Sequence, residues 1–383
     1  MIYLDHGATA FPRAPGVAKA MVRFLDEASG NPGRGGHRLA IAAARAIEAA
    51  REEMAALLGG DPERTLFGAG ATFWLNTVLA SALGDGSRVV ASALEHNAVM
   101  RPLRFLEESR GVEIIVVEAA DPNGVPTPEE IAARVAEAPT ALVVLTHASN
   151  VSGAVLPVAE AARAVAPVPV LVDAAQTAGT LSINFADLGS AALVCSGHKG
   201  LLGPPGIGVL LLAPDFEVEP LLRGGTGSRS ESEEMPEFLP DRLEAGTVNG
   251  AGAAGLGAAC AWLGGRTVEA VTEHEHGLVG LLAAGLGTIT GVRLHGWTES
   301  APHTGILSFT LDGVDNGELA AWLDRRHGVC LRAGLHCAPA AHRRLGTFPN
   351  GTLRAGIGPF NTEEDVDFLV SAIRDAADGK MQS

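Results

Sequence analysis

Four polar clusters, each placed directly after a short apolar run, contain residue types that enzymes use for acid–base and covalent chemistry. In open α/β sheets, ligands bind beyond the carboxyl ends of the strands. If each apolar run is a strand of one sheet, a lysine, a carboxylate and several imidazoles meet at one edge of that sheet. The clusters are Leu94-Glu95-His96-Asn97, His147-Ala148-Ser149-Asn150, Asp173 with Gln176, and Ser196-Gly197-His198-Lys199.

Lys199 has the most specific chemistry in this set. A lysine that forms an imine with an aldehyde cofactor must be partly desolvated, so that its neutral amine is accessible, and Lys199 follows a predicted buried strand. Asp173, at the end of a neighbouring strand, can keep a pyridine nitrogen protonated, and this charge makes the ring an electron sink. His96 can stack on the ring. We therefore predict a pyridoxal-phosphate cofactor held as a Schiff base by Lys199.

A cofactor phosphate also needs hydrogen-bond donors. The segment Gly68-Ala69-Gly70-Ala71-Thr72 precedes a predicted helix and offers backbone N–H groups and a hydroxyl. Ser196 and His198 are also close enough in sequence to Lys199 to reach a phosphate. Each signal alone is weak, since a Gly/Ala-rich turn is more often a packing feature and a lone histidine is more often structural. Their order along one predicted sheet favours the functional interpretation.

Short apolar runs that alternate with helical stretches predict an α/β fold with a mostly parallel sheet. The runs are apolar throughout and do not alternate, which predicts strands buried on both faces. A long helix is predicted from about residue 38 to residue 58, ended by Gly59-Gly60, and a capping box at Thr127 begins another. The predicted strands are Arg88–Ser92, Glu113–Val117, Ala141–Thr146, Val168–Asp173, Ala192–Ser196 and Gly208–Leu212.

The C-terminal third has a different pattern. A polar loop, Arg223–Asp241, precedes a Gly/Ala-rich helix that begins near Asn249. Two strands follow, around Gly305–Leu311 and Val329–Arg332, and then a final helix capped by Asn361 or Thr362. We predict a large cofactor-binding domain over residues 14–250 and a smaller α+β domain made of residues 1–13 and 251–383.

Composition and charge exclude several classes of protein. The 383 residues are 47% hydrophobic and 19% charged, which is typical of a folded soluble protein. The net charge of −16 argues against a nucleic-acid surface, because phosphate binding needs clustered Lys and Arg. We find no apolar run long enough for a membrane helix and no signal-peptide pattern at the N-terminus. The four cysteines form no CxxC pair, so we expect no metal site and predict a cytoplasmic protein.

Taken together, the motifs resemble the class V branch of fold-type I pyridoxal-phosphate enzymes, and within it the cysteine desulfurase and selenocysteine lyase group. The resemblance covers nearly the whole chain in order, and it implies a dimer with shared active sites. The matching stretches are Tyr3-Leu4-Asp5 with Ala8-Thr9, Leu94-Glu95-His96-Asn97, His147-Ala148-Ser149-Asn150 with Gly153, Asp173-Ala174-Ala175-Gln176, Ser196-Gly197-His198-Lys199, and Arg332-Ala333-Gly334-Leu335-His336-Cys337-Ala338.

The resemblance assigns roles within the cofactor site. Lys199 would carry the cofactor and act as the base at the substrate Cα, Asp173 would pair with the pyridine nitrogen, and His96 would stack on the ring. Asn150 and Gln176 would hydrogen-bond the phenolic oxygen and the substrate carboxylate region. The phosphate would be held by Ala71, Thr72, Ser196 and His198.

The resemblance also assigns roles around the substrate and across the dimer. Arg354 would bind the substrate carboxylate, assisted by Arg332. Thr226, in Gly224-Gly225-Thr226-Gly227, would reach the phosphate of the partner subunit. His37, in Gly33-Arg34-Gly35-Gly36-His37, would line the partner's site, or it is only a residue at a helix start.

Cys337 is the candidate nucleophile. It lies in a Gly-containing loop between Arg332 and Arg354, beside His336, and a thiolate near cationic or histidine groups is more nucleophilic than a buried thiol. The alternative is a small buried apolar residue, which is our interpretation of the other cysteines. Those are Cys195, Cys260 and Cys330.

Three hypotheses follow. The first is a cysteine desulfurase that converts L-cysteine to L-alanine and leaves a persulfide on Cys337 for an acceptor protein. The second keeps the cofactor but makes the protein a selenocysteine lyase or a biosynthetic C–S lyase. The third is a non-enzymatic scaffold, against which Lys199, Asp173 and His96 argue, because a scaffold needs no electron sink.

Two segments depart from the family pattern. His6-Gly7 stands where such enzymes commonly have Asn-Ala, and Phe73-Trp74 puts an aromatic pair near the phosphate loop. Either change is expected to reshape the pocket for a different sulfur or selenium substrate.

Overall fold

The computed structural model describes residues 1–33 and 35–382, so Arg34 of the predicted entrance motif lies outside the described residues. One-turn helical segments occur at Pro62–Arg64, Leu323–His327 and Lys380–Gln382. The strands are β1 (Ile2–Tyr3), β2 (Thr65–Gly68), β3 (Arg88–Ser92), β4 (Glu113–Val117), β5 (Leu142–Thr146), β6 (Val170–Asp173), β7 (Ala192–Ser196), β8 (Gly208–Leu212), β9 (Val292–His295), β10 (Ile306–Leu311), β11 (Val329–Cys330), β12 (Arg332–Gly334) and β13 (Thr352–Gly356). The helices are α1 (Val17–Glu27), α2 (Arg38–Leu58), α3 (Ala71–Ala82), α4 (Asn97–Arg110), α5 (Pro128–Ala136), α6 (Val158–Val165), α7 (Phe185–Leu188), α8 (Gly250–Arg266), α9 (Val268–Gly287), α10 (Asn316–Trp322), α11 (Pro339–Arg344) and α12 (Glu363–Ala377).

The larger sheet has the strand order β2-β8-β7-β6-β5-β3-β4. Strands β3 to β7 are parallel, and only β8 runs antiparallel to both of its neighbours. The central strands are buried along their length, as their uninterrupted apolar sequences predict. The predicted mostly parallel α/β sheet is therefore confirmed.

The edge strand β4 corrects one prediction. Its apolar sequence predicted burial on both faces, but Glu113 is exposed and residues 114–116 are only partly buried. The reason is position, because an edge strand has a neighbour on one side only. In the centre of the sheet, β6 begins two residues later than predicted, at Val170, since Pro169 has no N–H to give to the ladder.

The smaller sheet is antiparallel, with the order β12-β13-β10-β9. It corrects the predicted strand Val329–Arg332, which the structure divides in two. Val329–Cys330 pairs in parallel with the N-terminal strand Ile2–Tyr3, whereas Arg332–Gly334 pairs with β13. The N-terminal strand is thereby tied to the C-terminal part of the chain.

The helix boundaries follow local sequence signals. The capping boxes at Thr127 and Thr362 are both formed, so Thr362 and not Asn361 is the cap of the last helix. Helix α8, capped by Asn249, packs against α1 and α2 in the core that covers one face of the larger sheet. The division of the chain near residue 250 stays a prediction.

Candidate active site

A cavity of about 290 Å³ lies at the carboxyl ends of β5, β6 and β7. Polar side chains of the parallel strands converge here because successive strands run in the same direction and end at the same edge. Most residues predicted for the site line this cavity. They are Ala71, Thr72, His96, Asn150, Asp173, Gln176, Ser196, His198, Lys199, Arg332, Cys337 and Arg354.

Lys199 and Asp173 form the electrostatic centre of the cavity. Burial lowers the pKa of Lys199, and the nearby Asp173 carboxylate opposes this shift. Burial also raises the pKa of Asp173, which Lys199 and a 3.0 Å hydrogen bond from Ala175 N oppose. The charge of each group therefore stabilises the charged form of the other. Because burial acts against the charged form of Lys199, this lysine can supply a neutral amine more easily than a solvent-exposed lysine.

His96 is held in a fixed orientation at the start of α4. Its Nδ1 accepts a 3.0 Å hydrogen bond from Ala98 N, which places the ring proton on Nε2. Burial, followed by the charge of Lys199, lowers the pKa of His96 to about 4. The imidazole is therefore neutral near pH 7, and it can lie against a ring without repelling a cation.

The N-terminus of α3 is open to an anion. Its N-cap is Gly70, whose φ of 146° requires glycine and whose lack of a side chain leaves the first-turn N–H groups without a cap. Thr72 lies in this turn, and Ser196 faces it from the end of β7. Backbone donors, hydroxyls and the positive end of a helix dipole together make an anion site.

His198 is positioned by the N-terminal segment, which the sequence did not indicate. Its Nδ1 lies 3.1 Å from Thr9 Oγ1, and its carbonyl oxygen accepts a 2.8 Å hydrogen bond from Arg13 Nη1. Burial lowers the pKa of His198 to about 4. Thr9 belongs to a matching motif, but Arg13 had no sequence signal.

Arg354 has capacity for a carboxylate. It is 2% exposed, its Nη1 donates to Asn150 O at 2.8 Å, and its Nη2 donates to Asp5 Oδ1 at 3.2 Å. Its Nε has no hydrogen-bond partner among the described residues. Arg332 binds the same Asp5 at 2.8 Å. Asp5, which the sequence analysis assigned no role, therefore orients both arginines.

Cys337 is presented by a strained loop. His336 and Cys337 have φ values of 46° and 58°, which are uncommon for residues other than glycine and concentrate at functional sites. The loop is fixed to α4 by a 2.8 Å hydrogen bond from Asn97 N to Cys337 O. Cys337 is exposed, whereas Cys195 and Cys260 are fully buried and burial raises their pKa values. The thiol at 337 is therefore the accessible one in the cavity.

The cavity fits pyridoxal phosphate. Besides the uncapped helix and the lysine–carboxylate pair, Asn150 Oδ1 is buried without a partner while its Nδ2 donates to His336 O at 2.6 Å. Gln176 Nε2 donates to Gly7 O at 3.0 Å, so its amide is also held beside the cavity. An orphaned polar atom in a buried cavity indicates a ligand with complementary groups.

Two predicted residues do not line this cavity. Thr226 lies in the long loop, with its hydroxyl 3.2 Å from Ser228 Oγ, near a separate open depression. His37 caps α2, accepting at Nδ1 from Ala40 N at 3.4 Å. Within a single chain these residues therefore lie outside the cavity that contains the lysine.

The aromatic departure at Phe73-Trp74 lies outside the wall of this cavity. Trp74 is fully buried and donates from Nε1 to Gly208 O at 3.2 Å, and Phe73 packs edge-on against it at 4.8 Å. Neither residue lines the cavity. The other departure does contribute, because Gly7 is in the wall.

The described part of the chain has neither a metal-binding cluster nor a membrane-spanning helix. No group of three or more His, Cys, Asp or Glu residues there is arranged to hold a metal ion. Among the same residues, no helix has the length and apolar character needed to cross a membrane.

Comparisons with known proteins agree on one group. A family model, "Aminotransferase class-V", matches residues 2–369. A protein of Methanothermobacter thermautotrophicus named a probable cysteine desulfurase is 34% identical, over 98% of this chain and 94% of its own length. A cysteine desulfurase of Haloferax volcanii is 32% identical, over 98% of this chain and 89% of its own length.

Solved structures give the same result. The apo cysteine desulfurase from Thermococcus onnurineus superposes with a TM-score of 0.92 at 30% identity, over 99% of this chain and 95% of that one. A cysteine desulfurase from Escherichia coli in an S-sulfonic acid form gives a TM-score of 0.86 at 30% identity, over 99% of this chain and 94% of that one.

Proposed function

Because the chain belongs to the class-V aminotransferase family, whose members depend on pyridoxal phosphate, we propose that it is a cysteine desulfurase. It converts L-cysteine to L-alanine and leaves a persulfide on Cys337. The observation that carries the proposal is the exposed Cys337 thiol in the same cavity as Lys199 and the buried Arg354. The full-length relatives named as cysteine desulfurases support it.

The chain's own residues divide the binding of the cofactor between them. When bound, pyridoxal phosphate supplies an electron sink that acidifies the Cα–H bond of an amino acid. Lys199 would hold it covalently, Asp173 would face its pyridine nitrogen, and His96 would contact its ring. Asn150 and Gln176 would hydrogen-bond its phenolic oxygen and the carboxylate region of the substrate. The phosphate would be held by Ala71, Thr72, Ser196 and His198.

The substrate is positioned by two arginines in the wall of the cavity, Arg354 and Arg332. Arg354 binds the carboxylate of L-cysteine, and Arg332 assists from the rim of the cavity. Both guanidinium groups are preoriented by Asp5, so little conformational entropy is lost on binding. Lys199, whose neutral form is favoured by burial, takes the proton from the substrate Cα.

Cys337 takes the sulfur. Its thiolate attacks the substrate Sγ, an S–S bond forms, and the Sγ–Cβ bond breaks with its electron pair left on carbon. Cβ then takes up a proton. The Cys337 sulfur is oxidised and the carbon is reduced, so the conversion to alanine needs no external oxidant or reductant.

The predicted homodimer is part of the proposal. In one chain, Thr226 and His37 lie outside the cavity that contains Lys199. Each serves the site of the partner subunit if the long loop crosses the interface. Light scattering that found a fully active single chain would contradict this. An acceptor protein for the persulfide and a cytoplasmic location also remain predictions.

Turnover of the purified enzyme with L-cysteine, L-selenocysteine and L-cystine tests the proposed substrate. We expect alanine and reductant-released sulfide from L-cysteine, with Cys337→Ser lowering this rate by about 10²-fold or more, as is usual for loss of a reacting group. Cys330→Ser is the matched control, since Cys330 lies on β11 outside the cavity. If Cys337→Ser desulfurises cysteine at the wild-type rate, the protein is a lyase instead.

A further inference from the structure

A second cavity of about 20 Å³ has Lys199 in its wall. The side chains of Glu275 and His6 line it together with the lysine, and Gln176 belongs to the walls of both cavities. A polar space of this size holds one water molecule, because about 10–15 Å³ is sufficient.

Glu275 is an acid without a protein partner in a buried position. It is 3% exposed and makes no hydrogen bond or ion pair to any residue in the described part of the chain. Burial raises its pKa well above the ordinary value, which favours the protonated form. A buried carboxyl group that lacks any partner costs several kcal/mol unless something else completes its hydrogen bonds.

Two glycines, Gly305 and Gly358, leave space for these polar side chains because they have no Cβ atom. A Cβ atom at Gly305 would lie 3.2 Å from Glu275 Oε2, and one at Gly358 would collide with His6 Nδ1. His6 Nδ1 is buried without a partner, and burial lowers the pKa of this histidine to about 4. An imidazole and a carboxyl group whose uncharged forms are favoured by burial therefore line one small cavity, and neither is satisfied by protein.

We propose that this cavity holds one ordered water molecule and that Glu275 uses it to deliver a proton to Lys199. The proposal rests on the desulfurase function. His6, one of the departures from the family pattern, helps to hold the water.

The conversion of cysteine to alanine requires a second proton in addition to the one that Lys199 takes from Cα. Lys199 takes one proton from Cα, but the carbon fragment must receive two, one at Cβ and one at Cα, to become alanine. The second proton passes from the Glu275 carboxyl to the water while the water gives a proton to Lys199. Cys337 releases its thiol proton to the solvent, and Glu275 regains one from the solvent, so the protons balance over a turnover.

Glu275→Gln tests this step, because the amide keeps the shape and can hold the water but has no acidic proton. In a single turnover of the holoenzyme with L-cysteine, the persulfide on Cys337 should form at nearly the wild-type rate. Alanine should follow about tenfold or more slowly, at the low end of what general acids contribute. Glu273→Gln is the matched control, since Glu273 is exposed on the same helix and should leave both rates unchanged.

A second measurement does not depend on turnover. Infrared spectra of the cofactor-free protein at pH 7 should contain a protonated-carboxyl band that Glu275→Gln removes and Glu273→Gln retains. In the wild-type holoenzyme, the rate of alanine formation should also depend on the deuterium fraction of the solvent along a curved line, since two protons move through the water together.

The outcomes separate the two proposals. If wild-type enzyme forms no persulfide, the desulfurase function itself is wrong. If persulfide forms but Glu275→Gln leaves the timing of alanine unchanged, or slows both products equally, the proton-delivery role is wrong. A linear dependence on deuterium, or no removable infrared band, would also overturn it.

Discussion

At the scale of single residues, burial decides which groups of the site are charged. The chain has three lysines, and Lys199 is half-buried whereas Lys19 and Lys380 are exposed. The sequence motif at the end of β7 identified Lys199, because a lysine directly after an apolar strand is unusual. Glu275 and Asp5 could not be identified in this way, since their importance comes from contacts with residues far away in the chain.

Lys199→Ala should abolish the covalent link to the cofactor. We expect borohydride treatment of the variant to fix no cofactor to protein, and turnover to fall by on the order of 10²–10⁴-fold through loss of the base. Peptide mapping after reduction is the measurement. Lys19→Ala, on the exposed face of α1, should retain the adduct. A reducible adduct in the Lys199→Ala protein would show that the anchor is elsewhere.

At the scale of elements, the long strands and helices were predictable and the short strands were not. Strands β3, β4, β7 and β8 have the predicted bounds because their apolar runs are interrupted clearly at both ends. Strand β13, which carries Arg354, was missed because its apolar run is short and its pairing with β10 and β12 spans long sequence separations. The strand pattern therefore predicted no position for Arg354 relative to Lys199, and only the family resemblance assigned it to the substrate carboxylate.

One buried ion pair joins three elements next to the phosphate loop. Arg51 on α2 binds Glu244 at 2.8 and 3.1 Å, and it also contacts the carbonyl oxygen of Thr65. Glu244 accepts a 2.7 Å hydrogen bond from Phe67 N in β2. The pair fixes the segment that follows the long loop against α2 and β2.

Arg51→Met should lower the free energy of unfolding by about 3–5 kcal/mol, because Glu244 would be left buried without its partner. Denaturant titration is the measurement. In Arg23→Met the lost Arg23–Glu27 pair is solvent-exposed, so the loss should be under about 1 kcal/mol. Equal losses in both variants would contradict the structural role of the buried pair.

At the scale of the whole molecule, buried titratable groups determine how stability depends on pH. Burial lowers the pKa values of six histidines from 6.5 to about 4, so the unfolded state binds more protons than the folded state between these values. Four buried carboxyl groups act in the opposite direction, because their pKa values are raised and the folded state binds more protons. The histidines are His6, His96, His147, His198, His303 and His342, and the carboxyl groups are Glu95, Asp173, Glu244 and Glu275.

Because the histidines outnumber the carboxyl groups, we expect the cofactor-free protein to lose stability as the pH falls from about 6.5 to about 4.5. Below this range the carboxyl groups are protonated in both states and no longer oppose the loss. Thermal unfolding at intervals of pH is the measurement. A melting temperature that stays constant or rises over this range would mean that the histidines are not held neutral in the fold.

Mass spectrometry of wild-type enzyme after a single exposure to L-cysteine is the most direct test of the desulfurase function. It detects a covalent product of the proposed reaction on one identified side chain. We expect one additional sulfur atom on the peptide that contains Cys337, removed by a thiol reductant, with one alanine formed per sulfur bound. Alanine formation with no sulfur on that peptide, or sulfur on the peptide of Cys330 instead, would contradict it.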